Sequence, residues 1–216
     1  MKKTLQVSLA LAVLSVAGIN AALAQDKAPT EAKIAMCIGC HGIPGYQATF
    51  PEVHKVPMIA GQGAKYISAA LTAYAKGERK HPTMRGIAQS LSDADIAEIS
   101  AYYEAQAKVA AVVEAPPPAS PEVSKLLEKG ACASCHGANF SKPIDGSYPK
   151  IAGQHADYLY VALKAYKTEG KPYVGRGNAI MAGQVKQFSQ AELKTLAKYL
   201  ASLPGELRTV PQSKLR

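Results

Sequence analysis

The stretch CIGCHG at residues 37–42 recurs as CASCHG at 132–137, and together the two copies use every cysteine in the 216-residue chain. The likeness does not stop at the cysteines. VPMIAGQGAKYISAALTAY (56–74) matches YPKIAGQHADYLYVALKAY (148–166) at an offset of 92, and LSDADIAEISAYY (91–103) matches FSQAELKTLAKYL (188–200) at an offset of 97. A chain that repeats itself once in this way is two copies of one folding unit, each with a C-x-x-C-H motif near its start.

Both units read as helical. Ile67, Leu71 and Tyr74 fall at i, i+4, i+7, as do Leu159, Leu163 and Tyr166, which marks one face of a helix. Ser92 with Asp95, and Ser189 with Glu192, have the spacing of a capping box. The apolar positions that follow are Ile96, Ile99, Tyr102 and Leu193, Leu196, Tyr199. Neither half carries a strand pattern, so the expected fold class is all-α. AKVAAVVEAPPPASPE lies between the copies, and its three consecutive prolines favour an extended connector. Lys2 and Lys3, an apolar run from Leu5 to Ile19 and the small residues of Ala22-Leu23-Ala24 have the grammar of a secretory signal cleaved after Ala24. That run is short for a membrane span of about 20 residues. The expected boundaries are a signal peptide at 1–24, an N-terminal domain at 25–106, a Pro-rich linker at 107–120 and a C-terminal domain at 121–216.

Each unit is small for an independent core, and the chain has no tryptophan and three phenylalanines. A large apolar cofactor would help. A structural disulfide in an exported protein leaves His41 and His136 without a role. A thioredoxin-type pair expects a βαβ setting, and a zinc site joining both pairs expects a spacer of about 15–20 residues, whereas Cys40 and Cys132 lie 92 positions apart. Covalent haem attachment accounts for all six residues. Cys37, Cys40, Cys132 and Cys135 form thioethers to two haem c groups, and His41 and His136 ligate the irons.

The sixth position then decides the chemistry. Met84 stands 43 residues after His41 and Met181 stands 45 after His136, each just before the final helix of its unit. Core packing is the plain alternative for any methionine, but the matched placement favours ligation. Met36 adjoins Cys37 and cannot reach the far face of that haem, and Met58 aligns with Lys150. His54, His81 and His155 are weaker rivals. Pro57 and Pro149 precede the IAGQ turns, where their carbonyls could accept from the second imidazole nitrogen; starting a helix is the alternative role. Gly61 and Gly153 suggest close backbone approach. Arg85, beside Met84, and Arg176, five residues before Met181, could pair with haem propionates or sit solvated at the surface.

The formal net charge is +9, unevenly spread: residues 25–115 hold nine Lys/Arg and nine Asp/Glu, whereas 116–216 hold fourteen and seven. Scattered basic residues on an exported chain point away from nucleic acid and toward an acidic protein surface or anionic lipid.

With the twin C-x-x-C-H motifs, the repeated P-x-IAGQ block and the methionine before each final helix, the chain resembles the periplasmic dihaem cytochromes c4 over most of residues 30–203. The resemblance implies two tandem class I cytochrome c domains related by a pseudo-twofold axis, Met/His-ligated haems near their interface, and a periplasmic electron carrier serving respiratory partners such as a terminal oxidase. It implies a carrier rather than an enzyme. A dihaem subunit of a periplasmic dehydrogenase and a dihaem peroxidase are the alternatives; the peroxidase needs an iron with an exchangeable sixth ligand. The surplus charge suggests that the C-terminal domain docks an acidic partner and that its haem is the more readily reduced. Two insertions break the repeat: His41–Pro57 is three residues longer than its counterpart, and Gln154–Met181 is five longer.

Overall fold

The computed structural model describes residues 27–107 and 117–211. The expected signal peptide lies outside them, as does most of the linker. The first half runs α1 (Lys27–His41), β1 (Gln47–Ala48), β2 (His54–Lys55), α2 (Ala64–Lys76), β3 (Arg79–Lys80), α3 (Pro82–Gln89) and α4 (Asp93–Glu104). The second runs α5 (Pro121–Lys129), α6 (Ala133–His136), α7 (Ala156–Tyr166), β4 (Gly175–Arg176), α8 (Ala179–Lys186) and α9 (Gln190–Ser202). The strands are two-residue ladders, so the all-α expectation holds. The halves differ at their start. Helix α1 is continuous, whereas its counterpart breaks between α5 and α6, where Ala131 takes a φ of 45°.

Both capping boxes form: Ser92 Oγ and Ser189 Oγ accept the N–H groups of Asp95 and Glu192, whose carboxylates reach back to the serine N–H groups. The stripes they introduce bury Ile96, Ile99 and Tyr103 in α4, and Leu193, Leu196 and Leu200 in α9. The third position is therefore Tyr103 and Leu200 rather than Tyr102 and Tyr199, because with 3.6 residues per turn i+7 returns to the buried face more closely than i+6 does. In the first half Ile34, Ile67, Leu71, Ile96, Ile99 and Tyr103 form one core. The second half builds its core between α7 and α9, with Val185 and Phe188 closing one end.

The two insertions have distinct uses. The longer His41–Pro57 segment carries the antiparallel β1–β2 ladder. The longer segment after α7 leans on the other half, where Lys171 O accepts from Lys80 Nζ at 2.6 Å. Strands β3 and β4 pair across the halves, Arg79 opposite Arg176 and Lys80 opposite Gly175.

Past α9 the chain does not stay with the C-terminal half. Arg208 N–H donates to Ala60 O at 3.1 Å and Arg208 Nε to Gln106 O at 2.8 Å. Val210 packs against the N-terminal core. The strap passes over Gly61, whose φ of +86° is left-handed and whose added Cβ would stand 2.7 Å from Glu206 O. Gly61→Ala is expected to lower stability by more than about 1 kcal/mol, read as a lower denaturation midpoint with faster proteolysis of 204–211. Gly77 is equally left-handed, φ +75°, but a Cβ there meets nothing closer than 3.8 Å. Gly77→Ala should lower the midpoint without exposing the strap.

Candidate haem sites

His41 ends α1 and His136 ends α6. Each ring donates Nδ1–H to the carbonyl of the proline named from its place before the IAGQ turn: His41 to Pro57 O at 2.8 Å, His136 to Pro149 O at 2.9 Å. A carbonyl can only accept, so Nδ1 carries the hydrogen and Nε2 keeps its lone pair. Burial lowers the pKa of both imidazoles, which holds them in the neutral form that binds metal. Cys37 and Cys40 share one face of α1 at i, i+3; Cys132, at the N-cap of α6, and Cys135, within it, have the same spacing. All four thiols are free. Burial raises the pKa of Cys37 and Cys132, so both are protonated thiols. Among the described residues no three His, Cys, Asp or Glu side chains gather around a metal-ion position, which removes support from the zinc alternative.

Met84 and Met181 occupy the same position, the third residue of α3 and of α8. Each backbone N–H is held by the residue that caps its helix: Met84 by His81 Nδ1 at 3.4 Å, Met181 by Asn178 Oδ1 at 2.9 Å. Met84 packs against the N-terminal core, and Met181 against the cluster of Leu126, Val185, Phe188, Leu193 and Leu196. Two of the rival histidines have other uses: His81 is that cap, and His54 donates Nδ1–H to Glu52 O at 2.8 Å and stacks on Tyr158. His155 stands at the N-cap position of α7 without a side-chain cap bond.

Arg85 and Arg176 stand in different surroundings. Arg85 is exposed on α3. The residue facing Arg176 is Arg79, which also stands five residues before its methionine. That shared spacing, at the same offset of 97, was the signal available in the sequence. Arg79 Nη1 donates to Tyr66 OH at 3.1 Å and Nη2 to Tyr158 OH at 2.8 Å, where Arg176 Nη2 also donates at 3.1 Å. The guanidiniums lie over Tyr74, at 4.6 Å, and Tyr166, at 5.4 Å. Burial pushes the Tyr66 phenol up to about 12. Burial acts on Tyr158 in the same sense, but Arg176 and Arg79 outweigh it and bring that phenol down to about 8. Among the described residues neither guanidinium forms an ion pair with a carboxylate, and the buried Arg79 Nε has no hydrogen-bond partner. Two cations held side by side in this way call for an anion. Haem propionates would supply that charge, so the residues present fit two haem c groups: thiols to attach them, neutral imidazoles to ligate them and a cationic seam able to receive their carboxylates.

A family model for cytochrome c matches residues 121–204. Cytochrome c4 of Stutzerimonas stutzeri is 31% identical over 209 residues, covering 89% of this chain and 96% of that one. A thiosulfate dehydrogenase electron acceptor from strain A1501 of the same species is 29% identical over 175 residues, covering 77% and 78%. Among solved structures, cytochrome c4 of Acidithiobacillus ferrooxidans superposes with a TM-score of 0.61 at 27% identity, covering 79% of this chain and 99% of that one.

Proposed function

Since the chain belongs to the cytochrome c4 family of dihaem electron-transfer cytochromes, we propose that it is a periplasmic carrier taking single electrons from one respiratory partner and passing them to another. Cys37 and Cys40 would hold one haem c, with His41 and Met84 to ligate its iron. Cys132 and Cys135 would hold the other, with His136 and Met181 to ligate its iron. Bound haem iron supplies reversible one-electron exchange between its ferric and ferrous states. The chain's own residues make that exchange cheap in rearrangement. Pro57 O and Pro149 O fix the imidazole planes, and the capped starts of α3 and α8 fix the methionines.

The observation that carries this reading is the cross-half ladder at Arg79 and Arg176. It brings the loops leading to both methionines together, so an electron entering one half has the other site as its neighbour. The C-terminal half holds the excess of positive charge, which favours an acidic partner there; the strap carries Arg208 back to the N-terminal half. Among the described residues no helix is long and apolar enough to cross a membrane. A second reading, the dedicated acceptor of a dehydrogenase, is supported by the likeness to the thiosulfate dehydrogenase electron acceptor.

The test is a pyridine haemochrome count on protein exported from a host that matures c-type cytochromes, with stopped-flow oxidation of the reduced protein by an acidic redox protein. Two haems per chain, and a rate that falls as salt rises, are expected. A single haem, or a rate indifferent to salt, would refute respectively the dihaem and the docking parts. Copurification of a larger dehydrogenase subunit would move the second reading to the front.

A further inference from the structure

Gln62 and Gln154 close the two IAGQ turns and are almost fully buried, 5% and 4% exposed. A buried primary amide has two donors and two acceptor sites to satisfy. Within its own half each uses only the N–H of the next residue, Gly63 or His155, at 3.0 Å. Its other two bonds cross the interface. Gln154 Oε1 accepts Met58 N–H at 3.0 Å and its Nε2 donates to Met58 O at 2.9 Å. Gln62 Oε1 accepts Lys150 N–H at 2.9 Å and its Nε2 donates to Lys150 O at 2.9 Å.

Met58 and Lys150 directly follow the two prolines whose carbonyls hold the imidazoles. The peptide group joining Pro57 to Met58 therefore accepts His41 Nδ1–H through its oxygen and donates to Gln154 through its N–H. The peptide joining Pro149 to Lys150 does the same between His136 and Gln62. Each proximal imidazole is thus connected, through one conjugated amide, to a glutamine of the opposite half.

We propose that Gln62 and Gln154 are positioning residues that act in trans, each setting the strength of the hydrogen bond on the other half's iron-ligating histidine. Resonance couples the two ends of a peptide group, so engaging its N–H places more negative charge on its oxygen and strengthens the bond that oxygen accepts. A better acceptor at Nδ1–H makes the imidazole a more basic ligand. Greater basicity favours the ferric state and lowers the potential. Each amide also grips its target residue at both N–H and C=O, so the proline carbonyl cannot tilt away from the ring. The inference rests on His41 and His136 being iron ligands.

The predicted signature is crossed. In the dihaem protein Gln154→Met keeps side-chain length and removes the amide. In the reduced state the His41 Nδ1–H resonance should move upfield and exchange with solvent about tenfold faster, the scale of one lost buried hydrogen bond. The His41 site should titrate at a higher potential, while the His136 resonance and potential stay put. Gln62→Met should give the mirror image. Gln154→Glu, which retains an acceptor for Met58 N–H and adds negative charge, should move the His41 site the opposite way. If both variants disturb both sites alike, if each disturbs its own half, or if the Met and Glu variants shift potential with the same sign, the glutamines are interface adhesive and the inference falls. The haem count on the same samples separates the two levels: a chain without haem would overturn the functional reading and this inference together, whereas a loaded chain with an uncrossed response would overturn the inference alone.

Discussion

A chain carrying Cys37→Ser and Cys40→Ser is expected to retain one haem instead of two, and to lose cooperative folding of its N-terminal half. The reason lies in the poverty of that core. Among the described residues its buried members are Ile34, Ala60, Ile67, Leu71, Ala88, Ile96, Ile99 and Tyr103, with a single aromatic ring among them. Cys37 and Met84 pack at its edge. Truncating one buried leucine to alanine costs about 2–5 kcal/mol, against a total of about 5–15 kcal/mol for a domain. Losing a whole porphyrin's contacts, and leaving the guanidinium of Arg79 without its anion, exceeds what this half has to spare. The C-terminal half keeps its own core around Leu193, Leu196 and Leu200. Far-UV thermal melts should therefore show a reduced amplitude, alongside a haemochrome count of one. A variant that still bound two haems would mean that Cys37 and Cys40 are not the attachment points.

The second large effect is expected from the methionines. Met84→Ala and Met181→Ala leave the helix caps in place, because His81 and Asn178 bind the backbone N–H of the residue and not its sulfur. Helices α3 and α8 should stay folded, and only the thioether is lost. Each single variant should remove about half of the sulfur-to-iron charge-transfer absorbance of the oxidised protein, and the double variant all of it, since methionine with histidine is the c-type ligand set. The altered site should become high-spin and bind carbon monoxide when reduced, which would give this carrier the open iron that a peroxidase needs. An unchanged band in Met84→Ala would place the sixth ligand elsewhere; His81, at the cap of the same helix, would then be the first residue to replace.

Much of this was legible along the chain. Periodicity located the long helices, and serine with an acid three residues on marked the starts of α4 and α9, because helix packing and capping are local in sequence. The C-x-x-C-H motifs, the matched methionines and the prolines before IAGQ were readable for the same reason. Each is a fixed interval of residue types whose chemistry admits few uses. What spacing missed was the exact buried position, Tyr103 for Tyr102, where one residue of helical phase separates neighbours of like polarity.

What the sequence by itself determined was the repeat, the helices and the two C-x-x-C-H motifs. Only the tertiary structure decided how the two copies engage: Arg79 beside Arg176, the strap of 204–211 lying on the first half, and each IAGQ glutamine reaching the peptide that holds the other half's histidine. Those glutamine contacts join residues 88 and 96 positions apart. Their partners are backbone N–H and C=O groups, which every residue but proline carries alike, so no residue type announces them. They come into being only when the chain closes on its own second copy.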